Sequence, residues 1–186
     1  ANKWGRRDPN LSYGTNPCSE IILRDKQFCN LTEVVVREND TEDTLKRKVR
    51  LATILGTFQS TLTDFKFLSH EWKVNTEEER LLGVSLTGIM DAKITSNPDP
   101  KMLERLRDVA RETNEKFAKH LDIPVSASIT CVKPSGTVSQ LVDSASGIHT
   151  RHNNYYYRRI RMDKKDPIYT FLKDKGVEVE DEAFRP

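Results

Sequence analysis

The sequence predicts an α/β fold from three observations. Short β-branched runs stand at 30–36, 81–88 and 128–132, long stretches of helical periodicity stand at 44–62 and 101–121, and the two kinds alternate along the chain. Strands separated by helices of that length require crossovers, which make the sheet mostly parallel.

Each element has its own signature. Asn30-Leu31-Thr32-Glu33-Val34-Val35-Val36 has the β-branched, nearly continuous apolar character of a strand buried on both faces. From Thr44 to Leu62, the residues Leu45, Val49, Ala52, Leu55, Phe58 and Leu62 recur every three or four positions, and Lys46, Arg47, Lys48 and Arg50 fall on other faces. Leu81-Leu82-Gly83-Val84-Ser85-Leu86-Thr87-Gly88 reads as a short buried strand, with glycines where a backbone or ligand comes close. Pro98 and Pro100 mark a loop before a second amphipathic helix, Lys101 to Leu121, carried by Leu103, Leu106, Ala110 and Phe117 and closed behind by Pro124. Ser128 to Val132 and Tyr155 to Arg161 are expected as further strands, and Asp166 to Lys175 as a short helix ended by Gly176.

Composition narrows the function classes. A chain of 186 residues accommodates one domain, and 30 Lys and Arg against 28 Asp and Glu leave a net charge of +2. That balance is unlike a polybasic nucleic-acid binder or an acidic tail. Hydrophobic residues make up 36% and charged ones 31%; mean hydropathy is −0.64, polar but with apolar residues grouped well enough to build a core. Apolar runs fall short of the roughly 20 residues that span a bilayer, and no leader pattern opens the chain, so a cytoplasmic, membrane-free protein is expected. The first residue is not Met, and the opening is polar and rich in Gly, Asn and Pro, as in a processed or excised piece. Three cysteines, Cys18, Cys29 and Cys131, fit neither a secreted disulfide framework nor a CxxC zinc site. They are either buried or reactive.

Three constellations carry chemistry. In Asn16-Pro17-Cys18-Ser19-Glu20, Pro17 biases Asn16 to an extended backbone, and alternation along such a chain would present Asn16, Cys18 and Glu20 together. An amide, a thiol and a carboxylate at one place suit hydrogen and proton transfer at a hydroxyl-bearing carbon. The same spacing is met by a structural cysteine beside a solvated glutamate. Cys29 opens the Val-rich strand, at a strand end where α/β proteins place ligands; it also reads as a small apolar filler. Lys133-Pro134-Ser135-Gly136-Thr137-Val138-Ser139 follows a strand, with Pro134 ending it, Gly136 allowing an unusual backbone and Ser or Thr capping the next helix. Free amides there attract phosphate, although a plain capped turn has the same composition and the Walker spacing is absent. Lastly, His149 and His152 lack a completing ligand set, so no metal is expected. Tyr155, Tyr156 and Tyr157 interleaved with Arg158, Arg159 and Arg161 would suit stacked bases, which keeps a single-stranded nucleic-acid or nucleotide module as an alternative. The near-neutral charge opposes it.

Taken together, Asn16-Pro17-Cys18-Ser19-Glu20-Ile21, Phe28-Cys29-Asn30-Leu31-Thr32-Glu33, residues 77–88 and Lys133 to Ser139 resemble ribonucleotide reductase in motif and order. Within that family the resemblance is to the class II, adenosylcobalamin-dependent enzymes, with a class I reductase as the nearer alternative. It implies part of a ten-stranded α/β barrel: one partial catalytic domain over 1–186, with a finger-loop region at 1–29 and the second half-barrel at 30–186. The implied reaction replaces the ribose 2′-hydroxyl of a ribonucleoside di- or triphosphate with hydrogen. Cys18 matches the thiyl-radical cysteine, Glu20 the base at the 3′-hydroxyl, Asn16 the amide that holds substrate, and Cys29 one of the two reducing cysteines. Pro134, Ser135, Gly136, Thr137, Val138 and Ser139 match the phosphate cradle. The implied partners are a ribonucleotide, the remaining part of the reductase and an external dithiol such as thioredoxin, with neither membrane nor nucleic acid. The family's second reducing cysteine lies upstream of the finger loop, where this chain has no matching segment, and Cys131 does not match that position.

Overall fold

The computed structural model describes residues 7–182, which fall into two compact units, a larger one through Arg151 and a smaller one from His152. In the larger unit, β1 (Tyr13–Thr15) and β2 (Ile22–Arg24) form an antiparallel hairpin, and β3 (Asn30–Val35) pairs in parallel with β4 (Leu82–Thr87). The register runs from Asn30 opposite Leu82 to Val35 opposite Thr87. The crossover between β3 and β4 carries α1 (Glu42–Gln59) and α2 (His70–Glu79). A short helix, α3 (Lys93–Ser96), and a long one, α4 (Pro100–His120), follow β4, and then the five-residue α5 (Thr137–Leu141). The α/β class is the one the alternation predicts.

Local chemistry sets the helix ends. α1 starts two residues earlier than its apolar stripe because Thr41 and Thr44 form a capping box, each side chain bonded to the other's backbone N–H. α4 starts at Pro100, where a missing N–H costs nothing, behind Asp99, whose carboxylate accepts from the Lys101 N–H at 3.1 Å. Between these helices and one sheet face lies the core: Val34, Val36, Leu82 and Val84 pack with Leu45, Val49 and Ala52 of α1 and Met102, Leu106 and Ala110 of α4. The stripe expected on α1 is buried only in its first half. In its second half the buried face runs through Thr53, Gly56 and Thr57, with Gly56 against Thr32 and Leu82, so Leu55 and Phe58 fall on the outer face and Leu62 lies past the helix end; Phe58 still meets Phe117 edge-on at 6.1 Å.

Other expectations need correction. Residues 128–132 do not form a full strand: they run beside β4 through a single parallel bridge, Val84 to Thr130, with Val84 N–H donating to Ile129 O and Cys131 N–H to Val84 O. Tyr155 to Arg161 forms no strand either. In the smaller unit, Arg159 and Arg161 instead reach Glu180 and Glu182, each at 3.2 Å, so side-chain ion pairs bridge the two segments where a strand would need a ladder. The expected helix there is present as α6 (Pro167–Asp174), capped by Asp166 and followed by Gly176 at φ +78°.

The hairpin and α2 escape the sequence patterns because tertiary contacts build them. Buried Arg7 grips Glu79 at the end of α2 with two nitrogens, at 3.2 and 2.9 Å, and donates to Ile22 O in β2. Gln27 donates to the same carboxylate at 2.7 Å, and Arg24 reaches Glu78 and Asn75. Removing one partner of such a buried pair costs about 3–5 kcal/mol, which makes this cluster the anchor of the hairpin. Among the described residues no helix is long and apolar enough to cross a membrane.

Candidate active site

The two faces of the β3–β4 sheet differ. Even-numbered residues point to the helices, as the close approach of Gly56 in α1 to Thr32 and Leu82 shows. On the other face, Gly83 lies under Ile21, Leu31 and Cys131, and an added Cβ would stand 3.2, 2.4 and 3.0 Å from their side chains. Ile21 belongs to the connection between β1 and β2, so that connection rests on this second face.

Cys18 lies exposed in that connection. Asn16 closes the loop: its N–H donates to Ile21 O at 3.3 Å, its side-chain oxygen accepts from Ile21 N–H at 3.1 Å, and its carbonyl accepts from Ser19 N–H at 2.9 Å. Ser19 turns the chain at φ +61°. The extended alternation expected for 16–20 is therefore replaced by a turn. It leaves Cys18 outward and buries the Glu20 carboxylate, whose side chain is 1% exposed.

Glu20 is the centre of the charged chemistry. Its Oε1 accepts from Lys133 Nζ at 3.2 Å, joining the cysteine loop to the first residue of the predicted phosphate turn across 113 positions of sequence. Its Oε2 is buried without a hydrogen-bond partner. Burial alone would raise this carboxyl. Hydrogen bonds from Asn16, its own backbone N–H and Lys133, with the charge of Lys133, outweigh burial and hold it below the ordinary 4.5.

Cys29 and Cys131 are half-buried free thiols. Burial, then the neighbouring Cys131 and Glu20, pushes Cys29 up to about 12, and burial with Glu20 pushes Cys131 up to about 11. Both stay protonated at neutral pH, as hydrogen donors rather than thiolate nucleophiles. Asn30, next to Cys29, pairs with β4, and Thr130, next to Cys131, bridges β4 from the other side. The two thiols are free, and Cys131 lies near enough to Cys29 to act on its charge.

The turn at 133–139 divides its residues between two tasks. Ser135 and Ser139 are buried and spend their hydroxyls internally: Ser135 Oγ accepts from Ser139 N–H at 3.1 Å, and Ser139 Oγ donates to Ser135 O at 2.7 Å. Pro134, Gly136, Thr137 and Val138 are exposed, and the first amides of α5 have no intrahelical acceptor. Gly136 has φ −82° and ψ −78°, so the unusual backbone expected of it is absent, and it is itself the helix cap, with Ser135 reaching in from one residue before. The positive φ belongs to Gly147, at +54°, where a Cβ would stand 2.9 Å from Lys133 O. Gly147 N–H also donates to Thr87 Oγ1 at 2.9 Å, which ties the turn to the end of β4.

Sequence reasoning named Asn16, Cys18, Glu20 and Cys29, and the structure sets Asn16 and Glu20 in one loop, with the half-buried thiols of Cys29 and Cys131 close enough to sense the Glu20 charge. It missed Lys133 as a partner of Glu20. The available signal was a cation directly before the turn, at the end of a segment paired to the central strand. Among the described residues no group of three His, Cys, Asp or Glu side chains is placed to hold a metal ion.

Fold and site together define an α/β segment that presents a thiol on a hairpin connection, with a buried carboxylate tying that connection to a Ser/Thr-Gly turn. The chain is similar, over most of its length, to adenosylcobalamin-dependent ribonucleoside-triphosphate reductases. It is 29% identical over 205 residues to that of Lactobacillus gasseri, covering 93% of this chain and 27% of the relative. With the reductase of Euglena gracilis it shares 30% identity over 174 residues, covering 90% of this chain and 23% of the relative. A solved B12-dependent, class II ribonucleotide reductase superposes with a TM-score of 0.67 at 26% identity, covering 87% of this chain and 26% of that one. This chain thus spans about a quarter of the length of these relatives. No family model matches it.

Proposed function

We propose that this chain supplies the thiol-bearing part of the active site of a class II ribonucleotide reductase, acting on ribonucleoside triphosphates, with both compact units belonging to one catalytic domain. The observation that supports the reading is the Glu20–Lys133 ion pair, which joins the cysteine loop to the first residue of the 133–139 turn. The relatives' names support the triphosphate and adenosylcobalamin.

Adenosylcobalamin, when bound, supplies the radical that removes the hydrogen from the Cys18 sulfur. Cys18 is exposed and so open to a radical donor arriving from outside the segment, which fits that requirement. In the proposed reaction the Cys18 thiyl takes the ribose 3′-hydrogen, forming S–H as C3′–H breaks. Glu20 accepts the 3′-hydroxyl proton through its unpartnered oxygen, and Asn16 orients the sugar. The 2′-hydroxyl leaves as water. Cys29 and a second cysteine outside this chain give two electrons and two protons and end as a disulfide. One of those protons goes to the leaving 2′-hydroxyl and one to C2′, Cys18 returns its hydrogen to C3′, and Glu20 returns its proton to the 3′-oxygen. An external dithiol such as thioredoxin, in a cytoplasmic setting, reduces the pair for the next cycle. Gly136, Thr137 and Val138 face the phosphates, while Ser135 and Ser139 hold the turn and Pro134 sets its entry.

The test is an assay of a complete reductase containing this segment, with a ribonucleoside triphosphate and a dithiol. Deoxyribonucleoside triphosphate should form only when adenosylcobalamin is added. Product that forms without it, or no product with it, overturns the proposal.

A further inference from the structure

Lys133 contacts the carboxylate on which the proposed chemistry turns, yet nothing in the reaction above gives it a role. Three features single it out. It donates to Glu20 Oε1 at 3.2 Å, it is 29% exposed while its partner's side chain is 1% exposed, and the second carboxylate oxygen is left buried and unpartnered. A carboxylate gripped at one oxygen has its other oxygen fixed in direction. The grip is itself held, because the Lys133 backbone is pressed against Gly147, whose N–H is bound to Thr87 at the end of β4.

We propose that Lys133 is a positioning residue for Glu20: it clamps Oε1, keeps the carboxylate charged and leaves Oε2 as the single acceptor for the sugar hydroxyl proton. This rests on the reductase reading and deepens it, since the first residue of the phosphate turn then sets the state of the base in the cysteine loop. The groups facing Glu20 are few. Asn16 lies beside it in its own loop, Lys133 donates to it from the turn, and the thiols of Cys29, just before β3, and Cys131, in the segment beside β4, sense its charge. Lys133 is the only cation among those groups. Replacing it leaves a buried carboxylate with neutral neighbours, and burial then favours the protonated form.

The inference is tested on this chain directly, by following the Glu20 carboxyl carbon by NMR from about pH 3 to 8, around the usual carboxylate range. In the unsubstituted chain the midpoint should lie below 4.5. In Lys133→Met it should rise by about one pH unit or more, and Lys133→Arg should restore it. A midpoint unmoved in Lys133→Met overturns the role. Should Lys133→Met not fold, Lys133→Gln serves for the same comparison. In a complete reductase, Lys133→Met should lower kcat about tenfold to hundredfold, move the acidic limb of the kcat profile to higher pH and leave KM within about threefold. A raised KM with unchanged kcat makes Lys133 a phosphate ligand and overturns the proposal. Because the NMR titration needs no turnover, it separates failure of this inference from failure of the reductase reading.

Discussion

The two faces of the β3–β4 sheet are made from the same strands and have opposite characters. On the helix side Val34, Val36, Leu82 and Val84 are nearly or wholly buried against α1 and α4, and the surface is closed. On the other side Glu33 stands opposite Ser85 in the parallel register, and Glu33 Oε1 and Ser85 Oγ are both buried without hydrogen-bond partners, like Glu20 Oε2. Buried oxygens of this kind cost stability and are uncommon in a finished core. One such oxygen, Thr32 Oγ1, also lies on the helix face, so the faces differ in what surrounds them: apolar packing closes the helix face, while Glu33 and Ser85 line the opposite one.

The largest effect expected on the reactive side is from Cys18→Ser. In a complete reductase it should abolish deoxyribonucleotide formation while nucleotide affinity, measured by calorimetry, stays within about threefold, because a hydroxyl cannot replace the thiyl yet keeps the loop. Measurable turnover in that variant would falsify the assignment.

The contrast between faces is broken or sharpened by a pair of truncations. Leu82→Ala, on the helix face, should cost about 3 kcal/mol in urea unfolding, from lost burial and a cavity. Ser85→Ala, one face over, should change stability by less than about 0.5 kcal/mol or raise it, since the hydroxyl it removes has no partner. Equal losses in the two variants would erase the distinction.

Thiol reactivity gives a smaller effect. With Cys29 held near 12 and only half exposed, iodoacetamide at about pH 8 should modify the exposed Cys18 at least about tenfold faster, read by mass spectrometry of cysteine peptides. Faster modification of Cys29 would mean that the packing around its thiol opens.

The smallest expected effect is on pH dependence. Folding lowers the Glu20 pKa, so its charged form contributes stability above the ordinary value of 4.5, and that contribution is lost as pH falls through the lower folded value. Glu20→Gln should flatten the unfolding free energy between about pH 5 and 3 relative to the unsubstituted chain. An unchanged slope would show that the ion pair contributes nothing to folding.

Much of the scaffold was legible in the sequence. Leu45, Val49 and Ala52, and Leu106 and Ala110, mark their helices by spacing alone, because a periodic apolar face has one way to be buried. Two strands were legible from β-branched runs. The hairpin was not, since strands of three residues carry no pattern and its hold is the Arg7–Glu79 pair, 72 positions apart. α2 was hidden for the same reason: its apolar residues do not recur at helical spacing, and its buried end is a glutamate. The segment 128–132 has the composition of a strand but pairs with β4 at a single bridge, a decision made by its neighbours and not by its residues.

At the site, the residue types at 16, 18, 20 and 29 and the turn at 134–139 were set by sequence, because amide, thiol, carboxylate and glycine chemistry belongs to each residue wherever the chain puts it. What only the tertiary structure decided is which of them meet. The turn at Ser19 buries the carboxylate while leaving the sulfur outside, Cys131 comes near Cys29 from the segment beside β4, and Lys133 arrives at Glu20 from far along the chain. Charge state follows from those meetings, since burial and a nearby cation act through space and leave no mark in local sequence.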